Sequence, residues 1–427
     1  MITRRGFLQA GTIAAGSTIA PAVSLMAEGK SSLPSSIAAL KSMKSEAKPI
    51  TRQEYLQRQE NARRLMQSNR LDAILLMEGT SLSYFTGIRW WGAERLFATV
   101  LPVKGNAFYV CPAFEEGRAR EQVKAHIGDE DADIRVWQEH ESPYQLVAQG
   151  FRDRGLTTGS VGMEETVRFV FSDGISKVSP QTQLSSATAV TAGCRMRKST
   201  HEIELMRLAA KVTLKAYEAA YRGLRAGMTQ SQFEEMISSA HTRLGFPGEA
   251  SVQVGEYSAY PHGSIAPQVI HEGAIILIDG GCKVEEYSSD ISRTFVLGKP
   301  SDKMKKVFDI VHEAQRTALK TARPGLECQA VDAAARKVVS DGGYGPDYKF
   351  FTHRVGHGMG MDVHEWPYLV RGNSLPLEAE MTFSDEPGIY IRGEFGVRLE
   401  DDMHITENGA ELFTPQSPSL EDPFATA

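Results

Sequence analysis

Four carboxylates and one histidine have the types and spacing from which a hydrolytic centre can be built. In "AIILIDGGCKVEEYSSDISRTF" an apolar run leads into Asp279, Gly280 and Gly281 suggest a turn, and a second run carries Asp290 toward Phe295. Closing that hairpin brings the two aspartates together. The stretches "MTFSDEPGIYI" and "FGVRLEDDMHIT" repeat the arrangement with Glu386 and Glu400, on two expected neighbouring strands separated by a short turn. Carboxylates gathered at the ends of strongly apolar strands repel one another and lose hydration, and divalent cations are the economical compensation.

The histidine comes from "VGHGMGMDVHE", residues 355–365. His353 and His357 are four apart, the spacing of helical zinc proteases of the HExxH kind, yet no glutamate follows either one. Gly356, Gly358 and Gly360 also disfavour a helix, at about 1 kcal/mol each. An extended, glycine-lined strand is expected instead, with its backbone pressed close to the site. Alternation along it turns His353, His357 and position 361 to one face, so one imidazole can ligate metal while its neighbour touches substrate. Two aspartates, two glutamates and a histidine offer one nitrogen and up to eight oxygens, two from each of four carboxylates. Such a set suits two carboxylate-bridged divalent ions, Mn²⁺, Fe²⁺, Co²⁺ or Zn²⁺, better than one tetrahedral zinc. Water held between ions about 3.5–4 Å apart becomes a hydroxide nucleophile near neutral pH, so hydrolysis is the expected chemistry.

The elements that must position these groups are spread over a chain of 427 residues, enough for about two domains. A net charge of -6 offers no basic face for nucleic acid, and that class of partner is excluded. Cys111, Cys194, Cys282 and Cys328 have no metal-binding or disulfide spacing and read as small buried hydrophobes. At the N-terminus, Arg4 and Arg5 precede an uncharged stretch from Gly6 to Ala27, which looks like a twin-arginine export signal with cleavage after Ala27 and a periplasmic or exported destination. The alternative is a retained membrane anchor. No later segment has the roughly twenty apolar residues of a membrane span. Residues 28–50, rich in Ser, Lys and Ala, read as a flexible tether.

Residues 51–197 alternate apolar runs such as "DAILLM" and "DIRVWQ" with amphipathic stretches, the pattern of an α/β domain. A capping box at Ser199 and Glu202 opens a helix with apolar Leu205, Leu208, Val212, Ala216 and Ala219, which sets the domain boundary just before it. The second domain, 198–427, is built twice: "RAGMTQSQFEEM" at 225 matches "RPGLECQAVDAA" at 323, an offset of 98, and the same offset carries Gly245-Phe246 onto Gly343-Tyr344. Two related α+β halves meeting about a pseudo-twofold axis are expected.

"LIDGG", "YSSDISRTF", "HRVGHGMGMDVHEWP", "DEPGIY" and "GVRLEDD" together resemble the successive signatures of the pita-bread metallopeptidases, in the branch of Xaa-Pro aminopeptidase, prolidase and creatinase. The resemblance spans roughly residues 51–410 and implies a pita-bread α+β catalytic domain preceded by a creatinase-type α/β N-terminal domain. It further implies that Asp279 ligates one metal, that His357 and Glu386 hold the other, and that Asp290 and Glu400 bridge both. Glu386 would also move the proton of the attacking water. His262, in "SAYPHG", matches a substrate-facing histidine, and His364 matches the donor that stabilises the tetrahedral intermediate. His353 and Arg398 match positions around the proline pocket. Arg398, two residues before Glu400, either orients that carboxylate or meets a substrate carboxylate. The implied activity is cleavage before proline in short peptides with two divalent ions, manganese first, in a homodimer. The alternatives are a non-peptide substrate such as creatine, or a metal-free pita-bread domain that only binds partners. Trp90, Trp91 and Arg95 in "WWGAERLF" either overhang a partner's active site or pack within their own domain. Two departures, Glu380 where the family has glycine and Asp385 before Glu386, are expected to alter the pocket edge.

Overall fold

Most strands of the N-terminal domain are short, rich in apolar residues and buried, so their sheet needs helices on both faces. The computed structural model describes residues 33–425. Six strands, β1 (Ala73–Leu76), β2 (Ala98–Pro102), β3 (Phe108–Pro112), β4 (Asp133–Trp137), β5 (Ser160–Met163) and β6 (Gln183–Ser186), form one mixed sheet in the order β4-β3-β2-β1-β5-β6. Alternate β1 residues serve opposite faces. Ile74 and Leu76 join a core with Met66, Val123 and Val190, whereas Ala73 and Leu75 join Val147, Phe151 and Ile175. The helices supplying those residues are α2 (Arg52–Ser68), α4 (Glu116–His126) and α7 (Thr188–Arg195) on one side, and α5 (Pro143–Asp153) and α6 (Phe169–Val178) on the other. Helix α3 (Thr80–Thr86) follows β1 at the sheet's end.

The tether expectation fails from Pro34 onward. Helix α1 (Ser35–Ala38) packs on the catalytic domain through Ile37, which is fully buried, Met43 is nearly so, and Ser36 Oγ donates to the carbonyl of Ala219 at 2.7 Å. Two spaced apolar residues anchor a segment whose overall polarity suggested freedom. The expected export signal, residues 1–27, lies outside the described residues. Among the described residues no helix is long and apolar enough to cross a membrane.

In the second domain, helix α8 (Thr200–Tyr221) opens with the expected capping box, Ser199 and Glu202 each accepting from the other's backbone N–H. The repeat is structural. Helix α9 (Gln230–Leu244) and helix α11 (Cys328–Val339) begin 98 residues apart, 328 minus 230, and Gly245 and Gly343 turn left-handed after them at φ 98° and 93°. Ahead of them, Gly227 N donates to Ile270 O and Gly325 N to Leu377 O, both at 2.8 Å. Helix α10 (Asp302–Thr321) pairs with α11 as α8 pairs with α9.

The sheets repeat as well. Strands β7 (Gly248–Val254), β8 (Ile275–Val284) and β10 (Ile291–Val296) lie in the order β10-β8-β7, with the short β9 (Tyr287–Ser288) on the end of β8. Their counterparts β11 (Gly356–Gly358), β13 (Thr382–Asp385) and β16 (Asp401–Thr406) lie in the order β11-β13-β16, extended by β12 (Glu365–Leu369) and β17 (Gly409–Leu412), while β14 (Gly388–Ile391) and β15 (Phe395–Arg398) pair apart. This is the pita-bread arrangement of two α+β halves behind a creatinase-type N-terminal domain.

One local expectation is corrected. Gly280 and Gly281 lie within β8, and the turn falls at Glu285 and Glu286, both left-handed at φ 46° and 73°. The glycines are there for close approach, since a Cβ at Gly281 would sit 2.0 Å from the Ser289 carbonyl oxygen. The second hairpin forms as expected, β14 and β15 pairing antiparallel around a short turn at residues 392–394, with Glu386 just before β14 and Glu400 just after β15.

Candidate metal centre

Strand pairing places the donors. In the β8–β10 ladder Asp279 is opposite Ser292, so Asp290 stands just before β10 at the same end; in the β13–β16 ladder Asp385 is opposite Asp401, which sets Glu386 and Glu400 at the matching end of the other half. His357 enters from β11, the third strand of that sheet. As expected it is on a strand and not a helix. That strand is only three residues long, however, so alternation does not carry through to Met361, which is buried. Each glycine of this stretch makes room for packing: a Cβ at Gly356 would lie 2.1 Å from Ser384 O, and one at Gly358 2.5 Å from Glu365 O.

The donor atoms form three overlapping groups, Asp279 with Asp290 and Glu400, His357 with Glu386 and Glu400, and Asp290 with His357 and His364, each within 4.8 Å. Asp290, Glu400 and His357 are each shared by two groups, and of these the two carboxylates have the pair of oxygens that bridging ligands of a paired site require. His357 Nδ1 donates to its neighbour Gly358 O at 3.1 Å, which leaves Nε2 with its lone pair aimed at Glu386 Oε1, 3.3 Å away, and Asp290 Oδ2, 3.6 Å away. Burial and the nearby His364 push the His357 pKa down to about 3, so the ring stays a neutral ligand.

Without cations the cluster is electrostatically unfavourable. Burial and the surrounding carboxylates hold Asp290 and Glu400 well above the usual range, and burial with Asp279 nearby pushes Glu386 up to about 7. Asp279 differs. Burial opposes its ionisation, but the Arg398 charge and hydrogen bonds outweigh it and leave the pKa lowered. A dense group of carboxylates that resist ionisation together, with one correctly oriented imidazole, fits a pair of hard or borderline divalent ions.

Around the donors, Ser292 Oγ bonds Asp279 Oδ1 at 2.9 Å and Glu400 Oε2 at 2.6 Å. Ser384 Oγ accepts from His357 N at 3.0 Å and donates to Glu386 Oε1 at 3.2 Å, and Asp402 Oδ1 accepts from Asp290 N at 3.1 Å. None of these three was singled out from sequence, although each lies within two residues of a donor. Arg398 is 3% exposed and fully engaged: Nη2 meets Asp279 Oδ2 at 2.6 Å, Nε donates to Ser292 Oγ at 2.9 Å, and Nη1 donates to Pro261 O and Tyr390 Oη, each at 3.0 Å. Its nearest approach to Glu400, at 4.0 Å, is looser than its contact with Asp279.

His353 Nδ1 donates to Arg354 O, and Nε2 accepts from Tyr390 Oη at 2.7 Å. Its ring is 3.7 Å from Glu386 Oε2. His364 is exposed, with its ring 3.8 Å from that of His357. His262 is exposed too, on the loop that Arg398 holds through Pro261. A cavity of about 840 Å³ opens beside Asp279 and Asp290, lined also by Glu249, Ser251, Lys283 and Val363, with room enough for a short peptide.

The two departures lie away from that cavity. Glu380 has φ 74°, a conformation glycine adopts without strain, and its carboxylate pairs with Arg197 at 2.9 Å at the domain junction. Asp385 is fully buried, opposite Asp401 on the face of β13 that points away from Glu386. The expectation that they alter the pocket edge is therefore corrected. Of the aromatic pair, Trp90 packs within its own domain, stacked on Phe97 at 4.0 Å, while Trp91 is 56% exposed beneath Arg118.

Fold and site together define a metallopeptidase of pita-bread architecture. The chain belongs to metallopeptidase family M24, whose model matches residues 204–407, and residues 58–197 match the creatinase/prolidase N-terminal domain. It is 31% identical to a Xaa-Pro dipeptidase of Lactobacillus delbrueckii subsp. lactis, over 83% of this chain and 96% of that one. Among solved structures, dipeptidase PepE from Mycobacterium ulcerans matches at TM-score 0.81 and 31% identity, covering 88% of this chain and 99% of that one. A prolidase from Thermococcus sibiricus matches at TM-score 0.77 and 30% identity, covering 84% and 97%.

Proposed function

We propose that the chain is a Xaa-Pro peptidase of the prolidase or aminopeptidase P type, which cleaves the bond before proline in short peptides. The observation that carries this is the convergence of Asp279, Asp290, His357, Glu386 and Glu400 beside a peptide-sized cavity. The names of the relatives, Xaa-Pro dipeptidase and prolidase, support the choice of bond. Asp279 would hold one divalent ion, His357 and Glu386 the other, with Asp290 and Glu400 between them, and manganese is the first candidate ahead of zinc, cobalt or iron. Bound there, two such ions supply Lewis acidity and lower the pKa of a water that serves as nucleophile.

The chain's own residues do the rest. Glu386, beside the space between the donors, would take the proton of the attacking water. His364 donates a hydrogen bond to the oxygen on which negative charge develops. His353, kept neutral at a pKa of about 3 by burial, and His262 border the space for the proline residue. Arg398 has its donors committed to Asp279, Ser292, Pro261 and Tyr390, which supports the role of orienting a ligand over that of meeting a substrate carboxylate.

Manganese-loaded protein incubated with Ala-Pro, a Xaa-Pro tripeptide and creatine tests the assignment. Alanine released from the tripeptide identifies an aminopeptidase, and action on the dipeptide alone a prolidase. Inertness toward both peptides overturns the proposal, and creatine turnover would replace it. Export rests on the paired arginines at 4 and 5, and a Lys-Lys replacement that leaves the protein in the periplasm overturns it. A homodimer, supported by exposed Trp91, Phe114 and Phe169, is checked by sedimentation.

A further inference from the structure

His364 is carried by a short segment that the N-terminal domain grips from several directions. Two residues before it, Asp362 accepts from Thr80 Oγ1 of α3 and from Arg195 Nη2 at the end of α7, both at 2.5 Å. One residue after it, Glu365 also pairs with Arg195, and its other oxygen accepts from Lys198 Nζ at 2.6 Å. Beyond that, the Trp366 indole donates to Glu165 at 3.2 Å. The central charges are dry: side-chain exposure is 10% for Arg195, 2% for Lys198 and 7% for Glu365. Gly360 makes the space, because a Cβ there would stand 2.4 Å from Glu365 Oε1 and 2.8 Å from Lys198 Cε.

Buried ion pairs are weak stabilisers, because desolvation offsets their attraction, but they tolerate little displacement. A histidine between two acids held in this way has a backbone that cannot drift, and a misplacement of about 1 Å in a reacting constellation costs up to ~10² in rate. Taking His364 as the donor proposed above, we infer that Arg195 and Asp362 are positioning residues for it, so that the N-terminal domain completes the catalytic apparatus of the second domain.

The test is a set of thermodynamic cycles on the metal-loaded enzyme with Ala-Pro. Arg195→Met and Asp362→Asn are measured alone and combined with His364→Ala, with melting temperature and metal stoichiometry as checks of folding. Each single variant should lower kcat about tenfold and leave KM within about twofold, and neither should lower kcat further once His364 is alanine. Asp362→Asn is nearly isosteric at a side chain 41% exposed, so it keeps the test alive if Arg195→Met does not fold. Losses that multiply in the double variants overturn the inference, because they would mean an effect not routed through the imidazole. Should His364→Ala leave kcat intact, the donor role fails on its own account. The clamp is then read from the ¹⁵N resonances of His364, which Asp362→Asn must shift, and unchanged resonances overturn it.

Discussion

Stripping the ions should leave a protein whose stability falls as the solution becomes less acidic. Glu386, with its side chain 14% exposed, has its carboxyl pushed from 4.5 up to about 7, chiefly by burial and then by Asp279. Between those two values the folded chain keeps a proton that the unfolded chain has released. Stability therefore declines through that window, with a slope reaching about 1.4 kcal/mol per pH step for this one group. The 2.5-step difference, 7 minus 4.5, amounts to about 3 kcal/mol, present in full below pH 4.5 and gone above pH 7. Asp290 and Glu400, also raised, push in the same direction, whereas the lowered Asp279 acts only at more acid pH. Urea unfolding of chelator-treated protein at pH 5 and pH 8 measures the difference. The same experiment on Glu386→Gln should lose about 3 kcal/mol of it, and manganese should stabilise far more at pH 8 than at pH 5. A metal-free protein equally stable at both values, or more stable at pH 8, would refute the electrostatic account of the site.

Three other outcomes are expected. Arg398→Lys leaves one ammonium to replace four contacts, so metal affinity should fall about 10–100-fold in a competition titration, with the melting temperature of the loaded protein lowered as well. Glu380→Gly relieves a left-handed residue at the loss of one half-exposed ion pair, and chemical denaturation should show stability unchanged or raised by up to about 1 kcal/mol. Glu202→Gln leaves the buried Arg58 without its counter-charge at 3.1 Å and should cost about 3–5 kcal/mol in the same assay.

The five donors were legible because strand-end carboxylates and a histidine among glycines are local patterns, and the repeat was legible because it survives as one offset. What was misread depended on distant packing. Paired glycines resemble a turn, but Gly281 is needed because the backbone of Ser289 passes over it, while the real turn uses two glutamates that carry no turn signature. The polar segment after residue 28 hid Ile37 and Met43, whose partners lie on helices roughly two hundred residues away. The grip on His364 could not be read at all, since Thr80, Arg195 and Asp362 meet only in three dimensions. Its one visible trace was the pair of acids flanking that histidine.

The offset that relates the halves has a temporal side. Asp279 and Asp290 belong to the first half and His357, Glu386 and Glu400 to the second, so neither half owns a full chelating set. During synthesis the N-terminal domain has every strand of its sheet in hand by Ser186, long before the final donor leaves the ribosome. Loading with cations at the proposed site would thus be the closing act of maturation, and a nascent chain arrested between the halves would be a well-formed sheet domain trailing a poor chelator.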